Sequence, residues 1–206
     1  MKEKQKWEYC LITTVKIKKM NRITGIILAG GQSSRMGTDK ALISLNGKKL
    51  IEYSIAVMRE ICQHILISAN NPVYRDFGYP VVSDNFPGIG PLAGLEACLR
   101  FSQTRINLIA PCDAPFLSAD LFKNILSHNS LHDAVVPVQK NGNIEPLTAY
   151  YSKEIHPTLI RQINQGDYKM QNLLKLVNTK YIVLNDNNLL NNLNTPNDLA
   201  GIASTN

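Results

Sequence analysis

The chain has 206 residues, of which 44% are hydrophobic and 18% charged, a composition typical of globular proteins. It excludes an intrinsically disordered chain and a collagen-like or mucin-like one, and the length favours a single domain. The formal net charge is +6, but residues 1–22 hold seven Lys and Arg against two Glu, so the remaining chain is within one charge of neutrality.

The first predicted unit is a basic N-terminal arm over residues 1–21, followed by one domain over residues 22–206. The arm lacks the apolar core of a secretory signal, and no stretch approaches the ~18 apolar residues of a membrane-spanning helix. Three interpretations of the arm stay open: an additional strand, a tether for an anionic partner, or a segment upstream of a true start at Met20. The four cysteines form no CxxC pair, so we expect reduced thiols and a cytoplasmic protein.

From residue 23 onward, apolar runs that predict buried strands alternate with segments of helical periodicity. The predicted elements are, in chain order, a strand at Ile23–Ala29, a helix at Leu50–Cys62, strands at His64–Ala69 and Pro80–Ser83, a helix at Pro91–Phe101, a strand at Arg105–Ala110, a helix at Ser118–His128 and a strand at Ala134–Val138. This alternation predicts a three-layer α/β domain, in which helices cover both faces of a mainly parallel sheet. Ligands of such sheets bind outside the carboxyl ends of the strands, so the loops that follow strands are the candidate site.

The pattern changes after residue 140. Asn143–Tyr151 predicts a strand that contains a proline, which favours an edge or an antiparallel position. A helix over Ile155–Ile163 and a short strand over Tyr181–Leu184 follow. Residues 185–197 contain seven asparagines, which predict a loop.

The loop after the first strand carries the pattern of an anion site. The adjacent Gly30 and Gly31 let successive backbone N–H groups face one anion, although the loop is neither a P-loop nor a dinucleotide fingerprint. Arg35 and Lys40 add two positive charges to the same loop, and their side chains suit phosphate oxygens. We therefore favour a phosphate site over a tight turn with two solvated cations.

Two further strand-end segments carry candidate residues. Asp113 lies between two prolines directly after the strand Arg105–Ala110, where a rigid carboxylate beside a triphosphate would hold Mg²⁺. Asp84, after Pro80–Ser83, is the parallel candidate, and a helix cap or turn is the alternative for each aspartate. The glycine cluster 87–94 offers backbone that can approach a flat base closely.

Together these segments resemble a known family. Residues 28–42, LAGGQSSRMGTDKAL, resemble the signature of the nucleotidyltransferases that modify the molybdenum cofactor. The Gly30-Gly31 and Asp39-Lys40 pairs are similar to the guanylyltransferases in particular, since cytidylyl-transferring relatives typically have AAG in this loop. Further segments agree in order, namely VVSD (81–84), GPLAG (90–94), PCDAPFL (111–117), EPLTAYY (145–151) and NLNTPNDL (192–199). The resemblance covers residues 22–200.

The resemblance implies a Rossmann-like nucleotidyltransferase domain that transfers GMP from GTP to the molybdenum–molybdopterin cofactor and releases pyrophosphate. On the phosphate side, it implies that GTP is cradled by the backbone amides of Leu28, Ala29, Gly30 and Gly31, and that the triphosphate is neutralised by Arg35 and Lys40. It implies that Mg²⁺ is held by Asp113 and that the nucleoside is contacted by Asp84 and the GPLAG backbone. It also implies that the pterin lies near Asn192 and Asn194. Ser68 stands where the family often has an asparagine that helps to hold the nucleotide, while Asn70 is retained in place.

The resemblance also implies partners and leaves alternatives open. The small-molecule substrates would be GTP and the molybdopterin cofactor, and transient contact with molybdenum cofactor biosynthesis or acceptor proteins is expected. We expect a monomer with no nucleic-acid or membrane partner. The alternatives are a related nucleotidyltransferase that uses CTP or a sugar phosphate acceptor, and a non-catalytic nucleotide-binding or nucleic-acid-binding module with the basic arm as its handle.

Overall fold

The computed structural model describes residues 22–30 and 39–184. The described strands are β1 (Ile23–Leu28), β2 (Ser44–Leu45), β3 (Lys48–Lys49), β4 (His64–Ser68), β5 (Val81–Val82), β6 (Ile106–Pro111), β7 (Ala134–Val138), β8 (Ala149–Ser152) and β9 (Thr179–Val183). The described α-helices are α1 (Leu50–Ile61), α2 (Pro91–Phe101), α3 (Ala119–Ser127), α4 (His156–Asn164) and α5 (Met170–Leu176). Short 3-10 helices lie at Lys40–Leu42, Pro72–Phe77, Asn129–Leu131 and Lys153–Ile155.

Within these residues the main sheet has the strand order β5-β4-β1-β6-β8-β7-β9, and β2 pairs with β3 in a separate hairpin. β1 is central and pairs in parallel with β4 on one side and β6 on the other. β8 is antiparallel to both of its neighbours, and every other strand of the sheet runs in the direction of β1. The prediction of a mainly parallel α/β sheet is confirmed.

Both faces of the sheet are buried, which explains why its strands read as continuous apolar runs. Successive β1 residues Ile26 and Ile27 point to opposite faces, and each is 0% exposed. Ile27 belongs to the cluster packed against α1 and α3, whereas Ile26 belongs to the cluster packed against α2, α4 and α5. Burying one such side chain stabilises the fold by about 1.5–3 kcal/mol, so the two clusters fix the layer order.

Most predicted elements agree with the structure to within two residues. α2 begins at Pro91 and ends at Phe101, as the sequence predicts. Ser118 is the N-cap of α3, and its hydroxyl accepts a hydrogen bond from the backbone N–H of Leu121 at 3.3 Å. The cap and the apolar period together therefore locate this helix from sequence.

The predicted strand Asn143–Tyr151 needs a correction. Only Ala149–Ser152 forms a strand, and it lies between β6 and β7, so the expected edge position is wrong whereas the antiparallel direction is confirmed. Pro146 lies in the turn before β8, where the backbone N–H of Thr148 donates to the Glu145 carbonyl at 3.2 Å. Because the proline is outside the ladder, it removes no inter-strand hydrogen bond.

Two elements fall outside the predicted set. The hairpin β2–β3 turns at Asn46-Gly47, whose φ angles are 49° and 78°, a turn that this dipeptide favours. The helix α5 is only seven residues long, too short for a clear helical period.

The predicted arm (residues 1–21) and asparagine-rich loop (185–197) lie outside the described residues. No helix of the described part is long and apolar enough to span a membrane.

Candidate active site

A cavity of about 250 Å³ lies at the carboxyl ends of β1, β4, β5 and β6, where the strand order reverses about β1. Its walls comprise Leu28, Ala29, Gly30, Asp39, Lys40, Ser68, Asp84, Gly90, Pro91, Gly94, Pro111, Cys112, Asp113 and Leu147. A second cavity, of about 490 Å³, shares Ala29, Gly30, Asp39, Asp84 and Gly90 with it and extends to Asn70 and Tyr74. The two form one elongated cleft at the position where open α/β sheets bind ligands.

Backbone hydrogen bonds hold the strand ends at the cleft in register. The N–H of Ala29 donates to the Ser68 carbonyl at 2.9 Å, and the N–H of Cys112 donates to the Leu28 carbonyl at 3.2 Å. The residues that follow β1, β4 and β6 are therefore fixed side by side at one edge of the sheet.

Among the described residues, no neighbour of Gly30 requires a glycine at this position. A Cβ added there would lie 3.7 Å from the Ser68 carbonyl oxygen and from the Ala69 Cα, which is ordinary van der Waals contact. Gly30 also lines the cavity, and because it carries no Cβ its backbone can be approached closely there.

Lys40 and Asp113 bring opposite charges to the same cavity. Lys40 begins a 3-10 helix after β1, and Asp113 follows β6. Burial raises the pKa of the Asp113 carboxyl, while the Lys40 ammonium and a backbone hydrogen bond offset part of that rise. A partly desolvated carboxyl and a cation that influences it thus line the same cavity.

Asp84 is held at the cleft by Asn70. The Asn70 amide nitrogen donates to the Asp84 carboxylate at 3.0 Å, and the Asp84 backbone N–H donates to the Asn70 side-chain oxygen at 2.9 Å. The ends of β4 and β5 are joined by this pair, so Asp84 has a defined position even though its loop is exposed.

Ser68 is buried against helix α2 at the wall of the cavity. A Cβ added to Gly94 would lie 2.2 Å from the Ser68 hydroxyl oxygen and 3.2 Å from its Cβ. Only a glycine lets α2 approach β4 this closely, so here the GPLAG glycine has a packing reason.

Seven of the eleven candidate residues named from the sequence and the resemblance lie within the described part of the chain, and all seven line the 250 Å³ cavity. They are Leu28, Ala29, Gly30, Lys40, Ser68, Asp84 and Asp113. Gly31, Arg35, Asn192 and Asn194 lie outside the described residues, and the roles expected of them stay predictions.

Asp39, Leu147 and Tyr74 are among the cleft residues to which sequence reasoning gave no role. Asp39 is part of the quoted signature, Leu147 is part of EPLTAYY, and Tyr74 belongs to no quoted motif. Tyr74 is 1% exposed and its hydroxyl contacts Asp39, a contact between residues 35 positions apart. Residues 70–80 contain no motif that would have singled out this tyrosine.

Comparison with known proteins gives a consistent picture. A sequence model of the MobA-like NTP transferase domain matches residues 25–183. The chain is 37% identical over 186 residues to a probable molybdenum cofactor guanylyltransferase of Carboxydothermus hydrogenoformans, covering 87% of this chain and 94% of that protein. It is 38% identical over 180 residues to a molybdenum cofactor guanylyltransferase of Vibrio campbellii, covering 85% and 92%.

A solved structure shares the fold as well as part of the sequence. The molybdopterin-guanine dinucleotide biosynthesis protein A from Archaeoglobus fulgidus superposes with a TM-score of 0.73 at 26% identity, covering 86% of this chain and 95% of that one. The α/β architecture described above is therefore that of a solved relative.

Proposed function

The chain belongs to the MobA-like NTP transferase family, and on that premise we propose that it transfers GMP from GTP to the molybdenum–molybdopterin cofactor. The products are the guanine dinucleotide form of the cofactor and pyrophosphate. Relatives that are 36–38% identical over most of the chain carry the name molybdenum cofactor guanylyltransferase, which supports this choice of substrates.

One observation carries the proposal: Lys40 and Asp113 line one cavity together with Ala29 and Gly30, and the Lys40 charge acts on the Asp113 carboxyl. In the reaction a phosphate oxygen of the pterin attacks the α-phosphorus of GTP. The bond from that phosphorus to the bridging oxygen of the β-phosphate breaks, and pyrophosphate leaves. Such chemistry depends on positioning and on charge neutralisation, and it requires no covalent nucleophile from the protein.

We assign the phosphate side of the site to the residues after β1. Gly30 has no Cβ to keep a phosphate from its N–H group, and Lys40 neutralises the negative charge that grows on the leaving pyrophosphate. Gly31 and Arg35 complete this side on the strength of the signature alone.

Asp113 fits a Mg²⁺ site. Mg²⁺ is usually bound through one or two carboxylates together with substrate phosphates and water, so it needs no large cluster of ligands. Burial disfavours the charged form of Asp113, and a bound cation would relieve that cost. When bound, the ion would neutralise phosphate charge beside Lys40.

We assign the nucleoside side to Asp84, Ser68 and the backbone of residues 90–94. Asn70 holds Asp84 at the cleft by two hydrogen bonds, and Gly94 gives Ser68 the space it occupies. The preference for guanine rests on the signature and on the relatives. We also propose a cytoplasmic location, which agrees with the free thiols of Cys62, Cys98 and Cys112.

The test is a transfer assay with [α-³²P]GTP or [α-³²P]CTP, Mg²⁺ and the molybdenum–molybdopterin cofactor. We expect the label to enter the dinucleotide cofactor faster from GTP than from CTP, with one pyrophosphate released per transfer. Faster transfer from CTP would overturn the guanine assignment. An absence of transfer from every nucleotide, with nucleotide binding retained, would overturn the enzymatic one.

A further inference from the structure

Tyr74 joins the two stretches of chain that border the phosphate side of the cleft. It lies in the 3-10 helix Pro72–Phe77, and its hydroxyl oxygen is 2.6 Å from the Asp39 Oδ2 and 3.0 Å from the Ala29 carbonyl oxygen. Ala29 is the first residue after β1, and Asp39 directly precedes Lys40. The Tyr74 side chain therefore contacts both of these stretches of chain.

The Asp39 carboxylate links Tyr74 to the short helix that Lys40 begins. Its Oδ2 accepts from Tyr74, and its Oδ1 accepts from the backbone N–H of Ala41 at 3.2 Å, so Asp39 caps the short helix that Lys40 begins. Both carboxylate oxygens are thereby engaged, one on Tyr74 and one on the helix that carries the catalytic cation.

The surroundings of Tyr74 make this contact rigid. The side chain is 1% exposed and packs in the apolar cluster that contains Ala29 and Ala41. Burial, and then the hydrogen bond to the Asp39 carboxylate, raise the pKa of the Tyr74 hydroxyl well above its ordinary value. The group thus stays a neutral donor throughout the pH range of the reaction, and hydrogen bonds to a charged acceptor are among the stronger ones.

A second contact connects the Tyr74 helix to the nucleoside side. Asn71 is the N-cap of that helix, where its side-chain oxygen accepts from the Val73 N–H at 3.1 Å. The preceding residue, Asn70, holds Asp84. The segment 70–74 therefore contacts Asp84 on the nucleoside side and Asp39 on the phosphate side of the cleft.

We propose that Tyr74 is a positioning residue for the triphosphate, which acts through Asp39 and Ala29 by fixing Lys40 relative to the Gly30 backbone. This inference rests on the proposed nucleoside triphosphate site, and it adds a residue that no motif supplied. The loss of this hydroxyl should weaken contacts to the β- and γ-phosphates more than contacts to the nucleoside, because Asp84 is held by its own hydrogen bonds with Asn70 and Ser68 is packed against Gly94.

The test is Tyr74→Phe, which removes only the hydroxyl, with Tyr53→Phe as its matched control. The Tyr53 hydroxyl donates to the Leu45 carbonyl at 2.7 Å, away from the cavity walls. We expect Tyr74→Phe to weaken the binding of GTP and of inorganic tripolyphosphate roughly tenfold, the scale of one hydrogen bond to a charged group, and that of GMP less than about twofold. Tyr53→Phe should leave all three affinities within about twofold.

Equal losses for GTP, GMP and tripolyphosphate, or no loss for tripolyphosphate, would overturn the positioning role. A local readout accompanies the binding data: exchange of the Ala41 amide should accelerate in Tyr74→Phe and not in Tyr53→Phe. Accelerated exchange across the whole sheet, with no excess at Ala41, would show general destabilisation and contradict the proposal.

A double-mutant cycle with Asp39→Asn tests the path of the effect. If Tyr74 acts through Asp39, the double variant should lose little more tripolyphosphate affinity than the larger single loss, whereas independent effects would multiply. Tripolyphosphate carries no base, so this outcome does not depend on guanine. If the wild-type protein transferred no GMP from GTP, the proposed function would be wrong. The ratios of tripolyphosphate affinities between the variants and the wild type would still decide the role of Tyr74.

Discussion

The two halves of the main sheet contribute unequally to the cleft. The parallel half, β5-β4-β1-β6, supplies all of the charged groups in the 250 Å³ cavity, from the loops after its strands. The other half, β8-β7-β9, supplies only Leu147 to the cavity walls within the described chain. Every strand of the main sheet except β8 presents its carboxyl end at this edge of the sheet. The antiparallel β8 turns its carboxyl end away and separates β7 and β9 from the strands that surround the cavity.

This difference shows that the charged groups of the candidate site lie in one half of the sheet, whereas the other half is mainly a packed scaffold. The β8-β7-β9 half is also well packed, since Tyr150 and Tyr151 are at most 2% exposed, and it forms a wall rather than a source of reacting groups. Equivalent substitutions in the two halves should therefore have different consequences: loss of turnover in one half, and loss of stability alone in the other.

The largest effect is expected from Asp113→Ala. Removing the carboxylate after β6 removes the proposed Mg²⁺ ligand, and transfer of GMP should fall by at least about 10³-fold with the circular dichroism spectrum unchanged. The matched control is Asp133→Ala beside β7, where the carboxylate accepts from the Asn178 N–H at 3.1 Å. That variant should lose about 1 kcal/mol of stability and keep its turnover. Normal transfer by Asp113→Ala would remove the metal role.

Lys40→Met should reduce kcat by about 10²-fold, since the leaving pyrophosphate would lose the one cation that lines this cavity among the described residues. Lys180→Met, on β9 of the other half, changes the net charge by the same amount. It should leave kcat within about twofold, because its site is exposed and lies outside the cavity walls. Equal effects of the two variants would mean that overall charge, rather than position, supports turnover.

Gly94→Ala tests the packing that shapes the nucleoside side. The new Cβ would lie 2.2 Å from the Ser68 hydroxyl oxygen, so either α2 or Ser68 must move. We expect a loss of about 1–3 kcal/mol in unfolding free energy and weaker GMP binding. The second substitution Ser68→Gly removes the clashing atoms and should restore most of the stability. If the double variant were no more stable than Gly94→Ala, the clash would not be the cause.

The smallest effect concerns stability and pH in the protein without metal. Burial raises the folded-state pKa of Asp113 above its ordinary 3.8, so the folded protein holds this proton more tightly than the unfolded chain does. The resulting stabilisation is present below pH 3.8 and is lost as the pH rises through the folded-state pKa. Asp113→Asn should therefore raise the melting temperature at pH 7 and lose that advantage at acidic pH. An advantage that persists unchanged in acid would contradict the desolvation of this carboxyl.

The fold was largely predictable because local patterns and tertiary structure agree in the parallel half. Proline at the start of α2 and Ser118 before α3 mark helix starts, and the apolar runs of β1, β4 and β6 are long enough to indicate buried strands. The position of β8 was not predictable, since a proline in the same segment favours an edge. Only the structure shows that Pro146 precedes the ladder.

The candidate site divides in the same way. Gly30, Lys40, Asp84 and Asp113 follow strands directly, so strand prediction was enough to bring them together. The contacts of Tyr74 with Asp39, and of Ser68 with Gly94, depend on the register of neighbouring strands and on how closely a helix approaches. No local pattern encodes such distances, so these two contacts had to be observed.

The most direct test of the central claim is a crystal structure with a non-hydrolysable GTP analogue and Mg²⁺. The account predicts the triphosphate against the Gly30 backbone with Lys40 beside it, the metal on Asp113, and the nucleoside along Asp84 and residues 90–94. A triphosphate bound elsewhere, or a metal that does not contact Asp113, would contradict it.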